Sequence, residues 1–276
     1  MNKQPNLIQS NQNKTFKKFK ALTLKKYREA ENAYLLEGER YVRTALEINH
    51  PFIGIIVEQK YWTLLPDEIQ SYFINKTEIY IMPLDLFLDI VQTEQSQGII
   101  GVVEKRRHIS IDALDDIERI ENSETEQFIW LDRIQDPGNL GTIIRTADAS
   151  GFKNIILGKG TVDPYNPKVV RSTAGSLLNV NFIEAPDEDV LVNWLKSKSI
   201  NLIVTSLENS TNYMDDTNYR ALNCLVIGNE ANGVSDYLLS QADARVIIPI
   251  YGGAESLNAA VAAGIMMYRI DMFLKK

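Results

Sequence analysis

Ser256 and Asn258 are polar side chains at the start of a helical pattern of unusually small residues, within residues 246–267. An apolar strand pattern precedes them and leads through Gly252 and Gly253. Paired glycines let backbone approach a ligand where a Cβ would obstruct it. These residue types favour a site that holds a ligand largely through main-chain groups. An ordinary strand, turn and helix with a tight helix contact is the alternative that they leave open.

The same plan occurs twice earlier in the chain. Residues 225–235 form an apolar strand pattern followed by Glu230 between two glycines. Residues 130–151 form a strand pattern, a turn that contains Asn139, and a helical pattern that carries Arg145. In open α/β sheets, ligands bind outside the carboxyl ends of the strands. Three glycine-rich strand ends with polar side chains therefore predict one shared site.

Three runs of sequence carry a family resemblance. DPGNLGTIIRTADASG, IGNEANGVS and IPIYGGAESLNAAVAAG, in this order, resemble the three motifs of the SpoU (TrmH-like) family of SPOUT RNA 2′-O-ribose methyltransferases. DPYNPKVVRSTAGSLLNV is similar to the segment that this family carries between its first two motifs. The resemblance implies transfer of a methyl group from S-adenosylmethionine to a ribose 2′-hydroxyl in structured RNA. It favours ribosomal RNA over transfer RNA, and it implies a trefoil knot in the C-terminal domain.

The resemblance also implies which residues act. The matched catalytic positions are Asn139, Arg145, Glu230, Ser256 and Asn258. The matched cofactor positions are Gly228, Ile248 and Leu257. Judged by residue type alone, Asn139 also suits a turn and Asn258 a helix cap, while Ile248 and Leu257 also suit a core.

The choice of cofactor agrees with what the sequence lacks. The chain contains no GxGxxG after a first strand and no GxxxxGK[ST], which disfavours a dinucleotide or a nucleoside triphosphate. It has no Cys, His or carboxylate spacing typical of a metal site, so we expect no metal. S-adenosylmethionine has no phosphate, and backbone loops with an apolar slot for adenine suffice to bind it.

Methyl transfer to a hydroxyl needs an aligned displacement and loss of the hydroxyl proton. By resemblance, Arg145 is the residue nearest the 2′-hydroxyl. Because arginine stays protonated in proteins, we expect Arg145 to hold a phosphate and stabilise alkoxide charge, not to act as base. Glu230 is expected to orient Arg145 or a substrate group. Arg171 is a second phosphate contact or, alternatively, part of a structural salt bridge.

Composition describes an ordinary soluble protein, with 276 residues, 45% apolar and 24% charged. This length favours two domains with separate cores. The sequence shows no membrane span or signal sequence, so we expect a cytoplasmic protein. Its one cysteine, Cys224, lies in an apolar strand pattern, where a buried structural thiol is favoured over a nucleophile.

Positive charge is concentrated at the N-terminus. Residues 1–28 contain eight basic and no acidic residues, whereas the remainder has 21 basic and 36 acidic residues. Attraction to phosphate must therefore be local. The lysines expected to contact RNA are Lys14, Lys17, Lys18 and Lys20. The alternative is the solvated face of a helix, since Phe16, Phe19 and Leu22 have near-helical spacing.

Strand and helix patterns alternate along the chain and predict an α/β protein. The C-terminal part is expected to form a parallel, Rossmann-like sheet. The N-terminal part is expected to form a small α/β domain, similar to the substrate-binding domain of many SpoU enzymes. The predicted divisions are a basic arm (1–28), an RNA substrate-binding domain (29–105), a linker (106–125) and a methyltransferase domain (126–276).

Three functions remain after these observations. An RNA 2′-O-methyltransferase is favoured, since Arg145, Glu230 and Asn258 are all present. A non-catalytic RNA-binding protein on the same fold is the main alternative, and a nucleotide-dependent oxidoreductase is disfavoured. The resemblance further implies a homodimer formed through the C-terminal domain, with the small-residue helix as its contact. Burial of that helix within one subunit explains the same residues.

Overall fold

The computed structural model describes residues 4–91, 96–106, 127–184 and 187–276. The chain divides into two compact units. The first comprises Met1–Arg106 and Asp163–Leu178, and the second comprises Arg107–Val162 and Asn179–Lys276. Apart from its first residue, the predicted linker 106–125 lies outside the described residues.

Helices and strands alternate along the described chain. The strands are β1 (Asn6–Leu7), β2 (Ala33–Glu37), β3 (Phe52–Glu58), β4 (Ile79–Met82), β5 (Ile99–Glu104), β6 (Phe128–Leu131), β7 (Asn154–Leu157), β8 (Asn181–Glu184), β9 (Asn201–Thr205), β10 (Thr211–Asn212), β11 (Asn223–Ile227) and β12 (Ala244–Ile247). The helices are α1 (Lys14–Ala21), α2 (Lys25–Glu31), α3 (Glu39–Glu47), α4 (Gln59–Leu64), α5 (Asp67–Lys76), α6 (Leu84–Leu88), α7 (Pro137–Ser150), α8 (Pro167–Ser172), α9 (Glu188–Ser197), α10 (Asp236–Gln241) and α11 (Ala259–Leu274). Two short 3₁₀ helices are Ser176–Asn179 and Asp216–Asn218.

The first unit contains a five-stranded sheet in the order β1-β4-β3-β5-β2. Strands β1, β4 and β3 run parallel, and β5 is antiparallel to both β3 and β2. Buried side chains on α1 and α6 pack with those of the sheet in one core cluster, and α3, α4 and α5 contribute to another. The prediction of a small α/β domain is confirmed.

The N-terminal residues are part of this first unit. Strand β1 pairs with β4, and Phe16, Phe19 and Leu22 are buried in the same cluster as the central strands. Asn13 caps α1, because its Oδ1 accepts hydrogen bonds from the backbone N–H of residues 15 and 16. The described residues 4–28 are therefore integrated into the sheet and core and do not form the predicted separate arm.

Asp163–Leu178 also belongs to the first unit, although it falls within the predicted domain 126–276. Helix α8 packs against β2. The guanidinium of Arg28 donates to Asp163 at 2.7 Å in a largely buried ion pair. Arg28 also donates to the carbonyls of Leu22 and Thr23. Hydrogen bonds of this kind compensate for the cost of burying a charge.

The second unit contains a seven-stranded sheet in the order β10-β12-β9-β11-β6-β7-β8. Every pair in it is parallel, so the predicted parallel, Rossmann-like sheet is confirmed. Strands β6 and β11 are buried at every position, as expected for strands covered on both faces. Helices α9 and α10 contribute to the core on one face, and α11 packs against α7. The trefoil knot stays a prediction.

Candidate active site

Four neighbouring strands, β12, β9, β11 and β6, end at the same edge of the parallel sheet. The segment after each of these strands contains polar residues or glycines. This common edge is where ligands bind in open α/β sheets. The three predicted strand ends, together with that of β9, are therefore adjacent in the fold.

A cavity of about 580 Å³ opens among the loops that follow β9, β11 and β12. Its volume lies in the range of small-molecule and cofactor sites, roughly 300–1,000 Å³. All three predicted cofactor residues line it, as do two of the predicted catalytic residues. These residues are Gly228, Ile248, Leu257, Glu230 and Ser256. The walls combine apolar side chains with a few polar groups, which suits an aromatic ring bearing polar substituents.

Three predicted catalytic residues are connected by hydrogen bonds. Asn139 Nδ2 donates to Glu230 Oε1 at 2.7 Å, and Asn258 Nδ2 donates to Asn139 Oδ1 at 2.9 Å. We call Glu230, Asn139 and Asn258 the polar triad. Its members come from three separate stretches of sequence, so the predicted convergence of these stretches is observed.

The helix termini hold the two asparagines in place. Asp136 caps α7 by accepting the backbone N–H of Asn139 at 2.7 Å. Asn258 caps α11, because its Oδ1 accepts from the N–H of Ala260 and Val261. Asn258 is thus a helix cap and a member of the polar triad at once, and Asn139 lies in the first turn of its helix. The capping role of Asn258 is therefore observed, and the catalytic roles of both asparagines stay predictions.

Arg145 lies on α7, six residues after Asn139, which corresponds to about 9 Å along a helix axis. Its side chain is exposed. Within the described part of the chain, Arg145 has no hydrogen bond or ion pair. Its guanidinium is therefore available to a ligand. Ser256 is also exposed.

The loop that carries Glu230 is closed on itself. The backbones of Asn229 and Gly233 exchange hydrogen bonds of 3.0 and 2.9 Å. The side-chain Oδ1 of Asn229 accepts from the N–H of Ala231 and Asn232. A Cβ on Gly228 would lie 2.2 Å from the carbonyl carbon of Gly233. Gly228 therefore permits a close approach of the chain to itself.

Sequence reasoning did not identify Asp132 and Arg133, which hold this loop from outside. Asp132 is buried, and its Oδ2 accepts from the N–H of Ser235 at 2.7 Å. Arg133 donates to Asp132 through Nε at 2.9 Å, and this hydrogen bonding raises the pKa of Arg133. The carbonyl of Arg133 accepts from Asn229 Nδ2 at 2.9 Å. The bonds to Ser235 and Asn229 join residues about a hundred positions apart, and no spacing in the sequence indicates them.

The residues predicted to contact RNA lie in the first unit, and all are exposed. Lys17 donates to Gln12 at 2.6 Å, while Lys18 and Lys20 pair with Glu31 and Asp89. Lys14 has no such partner among the described residues. Arg171 lies in the last turn of α8. Exposed ion pairs are worth about 0–1 kcal/mol, so these lysines can exchange their partners for phosphates.

Cys224 is fully buried, and burial raises the pKa of its thiol. The prediction of a buried structural thiol is confirmed. The described residues gather no group of three or more His, Cys, Asp or Glu side chains that can hold a metal ion. In the same part of the chain, no helix has the length and apolarity needed to cross a membrane.

Comparison with known proteins gives two family matches. The model of the SpoU rRNA Methylase family matches residues 126–268. The model of the MRM3-like substrate binding domain matches residues 13–101. The second match begins inside the predicted arm, in agreement with the packing of α1 against the first sheet.

Individual relatives align over nearly the whole chain. The 23S rRNA (guanosine(2553)-2′-O)-methyltransferase RlmP of Bacillus subtilis is 34% identical over 263 residues, which are 95% of this chain and 98% of that protein. The crystal structure of an AdoMet-bound rRNA methyltransferase from Sinorhizobium meliloti has a TM-score of 0.84 at 29% identity and covers 98% of each chain. The SpoU methyltransferase AviRb from Streptomyces viridochromogenes, in complex with AdoMet, has a TM-score of 0.80 at 29% identity, over 94% of this chain and 97% of that one.

Proposed function

Because this chain belongs to the SpoU rRNA methylase family, we propose that it transfers a methyl group from S-adenosylmethionine to a ribose 2′-hydroxyl of ribosomal RNA. The observation that carries the proposal is the cavity of about 580 Å³ beside the polar triad. A cofactor site and a cluster of polar groups share one edge of the sheet. Work on ribosomal RNA agrees with the expectation of a cytoplasmic protein.

S-adenosylmethionine supplies an electrophilic methyl group on a sulfonium centre. In our proposal, Ile248 and Leu257 provide apolar contacts in the cavity, and the loop that begins at Gly228 provides main-chain groups. All three residues line the cavity. The closed conformation of the Glu230 loop supports the assignment, because a preorganised site loses less conformational entropy on binding than a flexible one.

The chain's own polar groups then act on the ribose. We assign to Arg145 the binding of the nucleotide phosphate and the stabilisation of negative charge as the 2′-hydroxyl loses its proton. The exposed guanidinium, which has no partner among the described residues, supports this role. Glu230 and Asn258, connected through Asn139, orient the reacting nucleotide by hydrogen bonds. Ser256, at the wall of the cavity, supplies a further hydroxyl.

RNA contact outside the reaction centre is assigned to the first unit. Lys14, Lys17, Lys18 and Lys20 project from α1, while the apolar side of the helix is buried in the core. Arg171 adds a further cation. Lysines on a packed helix form a fixed basic surface, which attracts phosphate locally although the chain as a whole carries a net charge of −7.

The second unit also supports a homodimer. Helix α11 exposes Val261, Tyr268 and Met272, with partly buried Ile265 between them, at spacings of four, three and four residues. This is an apolar stripe on one helix face, of the kind that contacts another surface. Light scattering of the full chain at micromolar concentration should give twice the chain mass of 31.3 kDa. A mass of one chain would contradict the dimer without affecting the proposed reaction.

The reaction itself is tested by mapping 2′-O-methyl positions in total RNA from cells with and without this protein. We expect one ribosomal position to lose its methyl group, and purified protein with S-adenosylmethionine to restore it on unmodified RNA. Titration of the protein with NAD should show no binding. Complete 2′-O-methylation in the absence of the protein, together with no methyl transfer in vitro, would favour the non-catalytic RNA-binding alternative.

A further inference from the structure

Tyr251 is the most exposed of the large apolar or aromatic side chains among the described residues, at 94%. It lies in the loop after β12, and every residue from 251 to 258 is exposed. Its hydroxyl makes no hydrogen bond within the described part of the chain. Tyrosine carries a large apolar face with one polar tip, and such side chains are enriched at interfaces. The face of this ring is left open.

The space around Tyr251 is also open. A Cβ placed on Gly252 or Gly253 would meet no atom within 4 Å. Packing within the subunit therefore does not explain why this loop has two glycines. On Gly228, by contrast, a Cβ would meet backbone at 2.2 Å. The room around Tyr251 can accommodate a flat ligand.

The position of the loop indicates what that ligand is. Ile250 on one side of Tyr251 and Glu255 on the other line the cavity proposed for the cofactor. Asn258, at the end of the loop, donates to Asn139 in the polar triad. A ribose presented to the cofactor and the triad must carry its base close to this loop. An enzyme that acts on one nucleotide often takes it out of the stack and holds its base against aromatic side chains.

We propose that Tyr251 stacks on the nucleobase of the nucleotide whose ribose is methylated. The inference rests on the proposed function and adds the way in which the target base is held. Because every base has a π-face, stacking on tyrosine replaces the lost stacking of the RNA without selecting base identity. A second copy of this chain is the other surface that can cover Tyr251, and the test below separates it from a base.

The test is a cycle between Tyr251→Ala and removal of the target base. The substrate is an RNA hairpin centred on the mapped 2′-O-methyl site, made with its natural base or with an abasic ribose at that position. On natural RNA we expect Tyr251→Ala to lower the ratio of the single-turnover rate constant to the half-saturating RNA concentration about 10- to 100-fold. This is the contribution expected of one stacked base. On abasic RNA the same variant should match the unaltered protein within about twofold. Tyr251→Phe and Tyr251→Trp should stay close to the unaltered protein on both substrates.

Tyr27, an exposed tyrosine of the first unit, provides the matched control. Any effect of Tyr27→Ala should be equal on natural and abasic RNA. An equal loss of activity for Tyr251→Ala on both RNAs would overturn the proposal. If the Tyr251→Ala variant then also had a lower mass in light scattering than the unaltered protein, Tyr251 would be assigned to a contact between two copies. A Tyr251→Phe variant as impaired as Tyr251→Ala would also overturn it, in favour of a role for the hydroxyl. If the unaltered protein transferred no methyl group, the proposed function would be contradicted. Of the outcomes in this experiment, only that one bears on the proposed function.

Discussion

Two loops beside the same cavity differ in what determines their conformation. The loop of residues 228–233 is closed by its own hydrogen bonds and is held from outside by Asp132 and Arg133. The loop of residues 251–258 is exposed throughout, and its glycines face open space. The chain alone thus determines the conformation of the first loop. The second loop is exposed, as expected of a surface that meets a ligand or another chain.

This difference divides the work of the site. A loop that is preorganised without a ligand can bind the cofactor before RNA arrives. A loop that is open can adapt to a nucleotide, at the cost of ordering on binding. We therefore expect substitutions in the closed loop to impair folding and cofactor affinity. In the open loop, substitutions at residues 251–254, which do not line the cavity, should impair only the steps that involve RNA.

The largest effect on stability is expected for Gly228→Ala. Its Cβ would clash with the backbone of Gly233, which cannot move without breaking the closed loop. Overpacking costs typically 1–3 kcal/mol, and we expect about 3 kcal/mol here in the free energy of unfolding, with loss of S-adenosylmethionine binding. Denaturant unfolding and calorimetric titration measure the two quantities.

Gly252→Ala is the matched control in the open loop. With no atom within 4 Å of the new Cβ, its stability and cofactor affinity should equal those of the unaltered protein. A Gly252→Ala variant that loses as much stability as Gly228→Ala would erase the difference between the two loops.

A somewhat smaller effect is expected for Asn229→Ala. This change removes the acceptor for the N–H groups of Ala231 and Asn232 and the donor to the carbonyl of Arg133. Partly buried groups left unpaired cost about 1–3 kcal/mol. We expect lower thermal stability together with weaker cofactor binding, because Gly228 is the adjacent residue.

Asn229→Asp keeps the acceptor, but it places a carboxylate oxygen and a negative charge against the carbonyl of Arg133, so its stability should stay below that of the unaltered protein. If Asn229→Ala bound S-adenosylmethionine with normal affinity, the closed loop would not be what shapes the cofactor site.

Part of the fold and part of the candidate site could be predicted from the sequence. Apolar runs with turn residues at their ends predict strands of the second sheet, such as β11. Motif residues with polar side chains predict the polar triad, because the ends of parallel strands meet at one edge. The hydrogen bonds of Asp132 and Asn229 go mainly to backbone atoms. Because every residue type has these atoms, the bonds do not determine which residue type lies at the distant partner position. Strand β10 was not predicted, since a two-residue strand has no pattern.

The first unit shows the same limit. The spacing of Phe16, Phe19 and Leu22 suggests a helix, but it does not reveal that this helix packs into the sheet of the first unit. Nor does the sequence reveal that Asp163, in a segment between two strands of the other sheet, pairs with Arg28. Long-range ion pairs have no local signature in the sequence. The order of the motifs therefore places Asp163–Leu178 in the C-terminal domain, whereas the structure includes it in the first unit.

The smallest effects are expected on the basic surface of α1, which lies in the other unit and should influence neither loop. Each lysine that neutralises a phosphate contributes roughly −0.7 to −0.9 to the slope of log affinity against log salt. The variant replaces four lysines with glutamine: Lys14, Lys17, Lys18 and Lys20. It should weaken RNA binding and flatten this plot, while the single-turnover rate at saturating RNA stays nearly intact.

A variant with the same change in net charge controls for general electrostatics. It replaces four exposed lysines elsewhere: Lys60, Lys76, Lys196 and Lys275. Its salt slope should remain that of the unaltered protein. An unchanged slope in the α1 variant would make that helix face a solvated surface without a role in binding RNA.

The most direct test of the central claim measures two quantities on Arg145→Ala, the single-turnover methyl transfer rate at saturating RNA and the affinity for S-adenosylmethionine. Arg145 is assigned to the reacting ribose and does not line the cofactor cavity. We predict that the rate falls by a factor of about 100 or more, as for other residues that stabilise transition-state charge, with unchanged cofactor affinity. A near-normal rate, or a loss confined to cofactor binding, would contradict the account of this site.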